Sequence, residues 1–165
     1  MKGAPMNAST TPPTAAPVSL APHPLLTRLV DQTAASVLDP QTFDAWASQP
    51  GAAMVVFAED PERYKETLDL AVIVPELHAM SGRRFRVALL PPSAARALAP
   101  RYGFARWPAF VMLRDGRYVG AVDGIRDWDE YVVELDRLLV ATPTRPPTVG
   151  IPVTVAGQAA SPSCH

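Results

Sequence analysis

The chain has 165 residues, a formal net charge of −1 at pH 7 and one cysteine, Cys164. This length allows one domain with a sizeable hydrophobic core. The near-neutral charge argues against a nucleic-acid partner, and a lone cysteine excludes a disulfide within the chain, which fits a reducing compartment.

Proline and charge are distributed unevenly along the chain. Residues 1–24 hold six of the nineteen prolines and residues 142–165 hold five more, and neither segment contains an acidic residue. Such a composition favours disorder. We therefore predict one domain over residues 25–141 between two disordered Pro-rich tails. All sixteen carboxylates and thirteen of the fifteen Lys and Arg side chains fall in that domain, which gives it a charge of −3.

The amino-terminal residues contain no apolar stretch long enough for the core of a signal peptide or for a membrane span, because prolines interrupt them from Pro12 to Pro24. We therefore expect a cytoplasmic protein with no membrane partner.

Hydrophobic periodicity and the positions of Pro and Gly predict the elements in chain order. They are a helix over 24–32, an edge strand over 35–38, a helix that starts at Asp39-Pro40, a buried strand over 52–58, a helix over 65–80, a strand over 84–90, a helix from Ser93 to Tyr102, strands over 109–113 and 117–122, and a helix over 127–140. A parallel βαβ unit followed by a hairpin and a final helix predicts an α/β fold with a mixed sheet.

Three expectations concern side chains on these helices. One face of the helix over 65–80 should be buried, His78 should point to solvent, and Trp128 should lie in the core. The apolar residues that share that face are Leu68, Ala71, Val72 and Pro75.

The stretch from Ala99 to Val119 contains a helix end, a bend and a strand pair. Gly103 supplies a left-handed residue that ends a helix, Trp107-Pro108 precedes an apolar run, and Asp115-Gly116 forms the turn of a hairpin. This order resembles the second half of a thioredoxin domain. The resemblance implies a three-layer α/β/α fold with a mixed central sheet and a cis bond at Pro108.

The reactive cysteines of that fold lie where the first central strand meets its helix. In this sequence the position reads Asp60-Pro61-Glu62-Arg63, and Cys164 lies more than twenty residues beyond the last predicted helix. Thiol–disulfide exchange needs an attacking thiolate and a leaving group. The fold is therefore expected to lack the CxxC motif, and redox catalysis at the usual position is excluded.

Four segments carry a narrower resemblance. They are Glu59-Asp60-Pro61-x-Arg63-Tyr64, Leu68 to Leu77, Arg101-Tyr102-Gly103 with Arg106-Trp107-Pro108-Ala109, and Gly124 to Tyr131. Together they resemble the hydrogenase expression proteins HyaE, HupG and HoxO, over roughly residues 25 to 140. The resemblance implies a dedicated chaperone for the small subunit of uptake [NiFe]-hydrogenases, which binds the twin-arginine signal peptide of the precursor before export.

The residues around the former redox position fit that role. Six carboxylates lie between Glu59 and Glu76 against Arg63 and Lys65, which predicts a negative surface, and carboxylates pair bidentately with arginine. Aromatic side chains would provide a groove for the apolar part of a peptide. The predicted peptide-binding residues are Glu59, Asp60, Glu62, Tyr64, Phe104, Trp107 and Pro108. The alternative is a solvated helix face whose carboxylates are favoured at the helix N-terminus.

We expect a binding protein and not an enzyme, without a cofactor, and with the small-subunit precursor and other hydrogenase accessory proteins as partners. Two alternatives stay open, because the fold alone does not separate them. One is a thiol oxidoreductase-like enzyme that uses Cys164 with an external thiol, and the other is a scaffold subunit that joins other maturation factors. No metal site is expected, since neither His78 with Glu76 nor Cys164-His165 has further ligands at suitable spacing.

Overall fold

The computed structural model describes Gly3 and residues 23–148. Most of the two predicted tails, 1–24 and 142–165, therefore lies outside the described residues. The elements are α1 (Pro24–Thr33), β1 (Ser36–Val37), α2 (Pro40–Ala47), β2 (Ala52–Phe57), α3 (Glu66–Met80), β3 (Arg86–Leu90), α4 (Pro92–Leu98) with a 3-10 turn (Ala99–Arg101), β4 (Ala109–Arg114), β5 (Arg117–Asp123) and α5 (Trp128–Val140).

One five-stranded sheet organises the domain. The strands lie in the order β1-β3-β2-β4-β5, with β1, β3 and β2 parallel and with β4 antiparallel to both β2 and β5. Helices α1, α3 and α5 pack on one face of the sheet, and α2 and α4 pack on the other. The predicted three-layer α/β/α fold with a mixed central sheet is confirmed.

Strand β2 is the central strand because its side chains are apolar on both faces. Met54 and Val56 pack into the core beneath α3 and α5, whereas Val55 and Phe57 pack into the core beneath α2 and α4. All four are at most 2% exposed. A continuous apolar run is the pattern expected of a strand covered on both sides.

The stretch that follows α4 has the predicted backbone geometry. Gly103 has a φ of +64°, the Trp107–Pro108 bond is cis, and Asp115 and Gly116 have φ values of +51° and +78°. The last pair matches a two-residue hairpin turn with both central residues left-handed. Asp115 also ties the turn to the start of β2, since its Oδ1 accepts a hydrogen bond from the Gly51 N–H at 2.7 Å.

The expected start of α4 was wrong. Helix α4 begins at Pro92 after Pro91, so Ser93 lies inside its first turn and does not cap it.

The expected buried face of α3 was right in part. Ala71 and Pro75 are buried as predicted, whereas Val72 is 51% exposed. The other buried apolar side chains are Leu70, Val74 and Leu77. Apolar residues surround this helix, so its periodicity does not specify which face is buried.

His78 and Trp128 also differ from the predictions. His78 is buried, and its Nε2–H donates to the carbonyl oxygen of Phe85 at 2.9 Å. Burial is the main cause that lowers the pKa of His78; the Phe85 hydrogen bond opposes this effect and the charge of Arg83 adds to it. Trp128, the first residue of α5, is 44% exposed, whereas Tyr131 one turn later is buried.

Candidate functional site

The site lies at the carboxyl end of β2, in the loop that leads to α3. Asp60-Pro61-Glu62-Arg63 forms a turn there, in which the N–H groups of Arg63 and Tyr64 donate to the carbonyl oxygen of Asp60 at 3.0 and 2.8 Å. The Asp60 carboxylate accepts the Glu62 N–H at 3.0 Å. The turn is therefore built by the backbone and by one aspartate.

An open cavity of about 530 Å³ adjoins this turn. It contains two of the predicted site carboxylates, Asp60 and Glu62, and several side chains that the sequence did not indicate. The lining residues are His23, Asp60, Pro61, Glu62, Arg63, Pro92 and Arg96. His23 reaches the cavity as the N-cap of α1, where its Nδ1 accepts the Leu25 N–H at 3.2 Å. The lining therefore includes both acidic and basic side chains.

Glu59 differs from the other predicted carboxylates because it is buried. The residue is 5% exposed, and its Oε1 accepts hydrogen bonds from Arg96 at 2.5 Å and from the Asp60 N–H at 3.0 Å. A buried carboxylate requires such partners. Glu59 therefore anchors the loop to α4, and its charge is matched by Arg96 instead of lying on the surface.

Two of the predicted aromatic residues, Phe104 and Trp107, pack with Phe57 near the end of β2. The ring of Phe104 lies 5.0 Å from that of Phe57 and 5.1 Å from that of Trp107, both edge-on. Phe104 and Trp107 are half-buried, and Tyr64 is 39% exposed on the acidic loop. Half-exposed aromatic rings provide large apolar contact areas for a ligand.

Hydrogen bonds to the end of β5 fix the loop that contains Trp107 and Pro108. Pro108 is buried, and its carbonyl oxygen accepts the Gly124 N–H at 2.9 Å. Asp123 Oδ2 accepts the N–H groups of Ala105 and Arg106 at 2.9 and 3.1 Å. Burial would raise the pKa of Asp123, but these hydrogen bonds and the charges of Arg106 and Arg126 lower it below the ordinary value. Asp123 thus fixes the aromatic loop in place as a carboxylate.

A second exposed apolar group lies beside this loop and was missed in the sequence. The hydrogen bond between Gly124 and Pro108 brings the start of α5 to the site, and there Ile125 is 41% and Trp128 is 44% exposed. Asp129 and Glu130 follow on the first turn of the helix. The sequence pattern placed Trp128 in the core because its spacing to Tyr131 and Leu135 matches the buried stripe.

Within residues 23–148, no three His, Cys, Asp or Glu side chains converge as metal ligands would. Among the helices that the structure describes, none has the length and apolarity needed to cross a lipid bilayer.

A comparison with solved structures matches this fold to that of thioredoxin. A thioredoxin mutant from Halobacterium salinarum NRC-1 superimposes with a TM-score of 0.53 at 24% identity, over 66% of this chain and 93% of the thioredoxin. The chain therefore has the thioredoxin fold, and its loop after β2 reads Asp60-Pro61-Glu62-Arg63.

Sequence comparisons define the family within that class. Residues 25–131 match the model for "Hydrogenase-1 expression protein HyaE". The chain is 42% identical to the hydrogenase expression/formation protein HoxO of Cupriavidus necator, over 90% of this chain and 92% of that protein. It is 34% identical to HoxO of Azotobacter vinelandii (86% and 93% covered) and 31% identical to HupG of Rhodobacter capsulatus (78% and 94% covered). The chain belongs to the HyaE family of hydrogenase expression proteins, and the predicted family is confirmed.

Proposed function

We propose that this protein is a non-catalytic chaperone of hydrogenase maturation that acts in the cytoplasm and binds the twin-arginine signal peptide of the hydrogenase small-subunit precursor. Membership of the family supports the role in maturation, because the relatives are named hydrogenase expression/formation proteins. The observation that carries the choice of ligand is that exposed carboxylates (Glu62, Glu66 and Asp69) follow β2 while the half-buried rings of Phe104 and Trp107 pack against Phe57 at the end of that strand.

The charges of the site suit a ligand with two arginines. Asp60 and Glu62 lie at the cavity, and Glu66 and Asp69 follow in the first turn of α3. None of these four carboxylates takes part in an ion pair with a described residue. Guanidinium groups bind carboxylates with two parallel hydrogen bonds, which fixes their orientation as well as their position.

The apolar groups suit the hydrophobic segment that follows the arginines of such a signal peptide. Phe104 and Trp107 precede the cis-proline, and Ile125 and Trp128 follow Gly124, whose N–H donates to the carbonyl oxygen of Pro108. A ligand bound at this loop would meet apolar side chains from both segments and acidic groups at the start of α3 and α5. We propose that Trp107 and Trp128 contact the hydrophobic segment of the peptide.

A redox role has less support. The loop that holds cysteines in thioredoxins contains none here, and the one thiol of the chain, Cys164, lies outside the described residues. The competing hypothesis is a thiol oxidoreductase-like enzyme that uses Cys164. Disulfide reductase activity that is present in the wild type and lost in Cys164→Ser would support that hypothesis and contradict our proposal.

The experiment that tests the proposal is isolation of the protein from cells that produce the small-subunit precursor. We expect the precursor to co-purify with its signal peptide attached, and we expect a precursor whose two arginines are replaced by glutamines to be lost from the complex. Recovery of both precursors in equal amounts would contradict recognition of the signal peptide. Recovery of other maturation factors without the precursor would support a scaffold instead.

A further inference from the structure

A second cavity, of about 460 Å³, lies at the amino ends of β1 and β3, which is the opposite end of the sheet from the candidate site. Among the described residues that line it there are two arginines and no carboxylate. The side chains that matter here are Ser36, Trp46, His78, Arg83 and Arg86. By contrast, two carboxylates line the cavity at the candidate site. Positive charge is therefore concentrated at this second cavity, although the domain as a whole is negative.

Arg86 is held in a fixed position at this cavity. Its Nη1 and Nη2 groups donate to the carbonyl oxygens of Trp46 and Gln49 at 3.0 and 3.1 Å, and its guanidinium carbon lies 4.5 Å from the centre of the Trp46 ring. Its Nε–H is buried and has no acceptor among the described residues. Burial lowers the pKa of Arg86, and no carboxylate of residues 23–148 pairs with it. The guanidinium is thus positioned, but its charge is not neutralised.

Arg83 and His78 lie next to each other at the same cavity, since the Arg83 N–H donates to the carbonyl oxygen of His78 at 2.9 Å. The Arg83 side chain is exposed, forms no ion pair with a described residue, and also borders the cleft that contains Asp31 and Glu76. Nε2 of His78 is engaged by the carbonyl oxygen of Phe85, so Nδ1 is the nitrogen that takes up a proton. Burial, and to a lesser extent the charge of Arg83, lowers the pKa of His78.

We propose that this cavity binds a doubly charged tetrahedral oxyanion, phosphate or a phosphate monoester, between Arg83 and Arg86. Guanidinium groups bind such oxygens through charge-assisted hydrogen bonds, and a donor that is already fixed loses little conformational freedom on binding. Two positive charges without a carboxylate favour a dianion over a single carboxylate group. A water molecule takes about 30 Å³ in the liquid, so the cavity admits phosphate together with bound waters.

Nuclear magnetic resonance of the full chain tests this site. The sequence contains three tryptophans, so the indole N–H signals of Trp46, Trp107 and Trp128 are few and separable, and Trp46→Phe identifies the first. Phosphate is added while chloride is reduced to keep the ionic strength constant. We expect a saturable shift of the Trp46 signal, because this ring lies under Arg86, and no shift of the other two.

Two matched variants test the role of Arg83. Arg83→Asn and Arg84→Asn each remove one positive charge, but Arg84 does not line the cavity, and its Nε donates to the carbonyl oxygen of Ser81 at 2.7 Å. Asparagine adopts the left-handed conformation of Arg83, whose φ is +57°, more readily than most residues, so the first variant should fold. We expect Arg83→Asn to weaken phosphate binding roughly five-fold and Arg84→Asn to change it by less than about two-fold.

The pKa of His78 provides a second measurement. Sulfate replaces phosphate here, because it stays doubly charged over the range in which histidine titrates. A bound dianion stabilises the protonated ring, so sulfate should raise the pKa of His78, and the increase should be smaller in Arg83→Asn. His78→Gln identifies the His78 signal.

The following outcomes would overturn the proposal. One is a Trp46 signal that stays unchanged, or that shifts equally when chloride alone is raised to the same ionic strength. A second is equal weakening by Arg83→Asn and Arg84→Asn, which would indicate a general effect of net charge. A third is acetate binding as tightly as phosphate, which would contradict a dianion. Glycerol phosphate separates the two forms of the ligand: tighter binding than phosphate supports the monoester, and equal or weaker binding supports the free ion.

Discussion

Glu59 and Arg96 form an ion pair at 2.5 Å across 37 positions of the chain, in which the carboxylate side chain is 6% exposed and the arginine side chain is 50% exposed. The pair joins the end of β2 to α4 and thereby fixes the loop that bears Asp60 and Glu62. It is a structural contact, and it withdraws one of the predicted site carboxylates from the exposed surface.

The first prediction concerns this pair. Arg96→Met keeps the aliphatic stem but leaves the Glu59 carboxylate buried without its charged partner, so the free energy of unfolding should fall by about 1–3 kcal/mol. The further change Glu59→Gln removes the unpaired charge and should restore part of that loss. Urea unfolding of both variants measures this. If Arg96→Met lies within about 0.5 kcal/mol of the wild type, the carboxylate is solvated and the pair is not structural.

The second prediction concerns Gly103 and uses Gly82 as its matched control. Both residues have left-handed φ values, +64° and +69°, but a Cβ on Gly82 meets open space whereas one on Gly103 meets the carbonyl oxygen of Pro147. Gly82→Ala should lower the free energy of unfolding by roughly 1–2 kcal/mol, the cost of the backbone conformation alone. Gly103→Ala should cost more, because the steric clash adds to that strain.

Deleting residues 142–165 from the Gly103→Ala variant separates these two effects. Because the deletion removes Pro147, Gly103→Ala should then lower the free energy of unfolding only as much as Gly82→Ala does. Thermal or urea unfolding measures this. If the two glycine substitutions lower the free energy of unfolding equally in the full chain, Pro147 does not lie against Gly103.

The third prediction concerns pH and His78. Burial lowers the pKa of His78 in the folded protein below its ordinary value of 6.5. The unfolded chain therefore binds a proton that the folded protein does not, and the free energy of unfolding should decrease as the pH falls from 6.5 to the folded-state pKa. Above pH 6.5 the ring is neutral in both states and contributes no pH dependence.

His78→Gln isolates this effect. Glutamine cannot titrate, so the difference in stability between wild type and variant should shrink as the pH falls from 7 to 5, whatever the carboxylates contribute to both proteins. Urea unfolding at a series of pH values measures the difference. A difference that stays constant across this range would mean that His78 titrates alike in the folded and unfolded states.

The structural features that could be predicted from the sequence are local ones. The Asp115-Gly116 turn and the left-handed Gly103 were both predicted, because each depends on residues within a few positions of one another. Short-range patterns of this kind can be recognised in a sequence without knowledge of the fold.

The partners of Glu59 and His78 could not be predicted in the same way. Arg96 lies 37 residues from Glu59, and Phe85 reaches His78 only after the turn between α3 and β3. Nothing in the spacing indicates that either polar group would be satisfied inside the fold. Trp128 was misplaced for a different reason: its spacing matches the buried stripe of α5, but the buried side chains of that helix begin one turn later, at Tyr131.

The last prediction concerns the acidic part of the site. Since Glu59 is buried and paired, only Asp60 and Glu62 should be changed. In Asp60→Asn with Glu62→Lys, asparagine can still accept the Glu62-position N–H that Asp60 Oδ1 accepts at 3.0 Å, so the turn should persist. A peptide with two arginines should bind this variant about 1–2 kcal/mol less tightly at low salt, which is roughly five- to thirty-fold, because attraction is lost and repulsion is added.

The matched control applies the same charge change elsewhere. Asp31 and Glu76 are exposed, and both line a cleft between α1 and the last turns of α3, away from the site. Asp31→Asn with Glu76→Lys should therefore leave peptide affinity close to that of the wild type, whereas a general effect of net charge would weaken binding in both variants. Titration calorimetry at two salt concentrations measures the affinities, and circular dichroism verifies folding. The difference in peptide affinity between the two variants should decrease as the salt concentration rises, because salt screens the interactions between the charges. Equal affinities of the site variant and the wild type at low salt would show that the arginines bind on another surface.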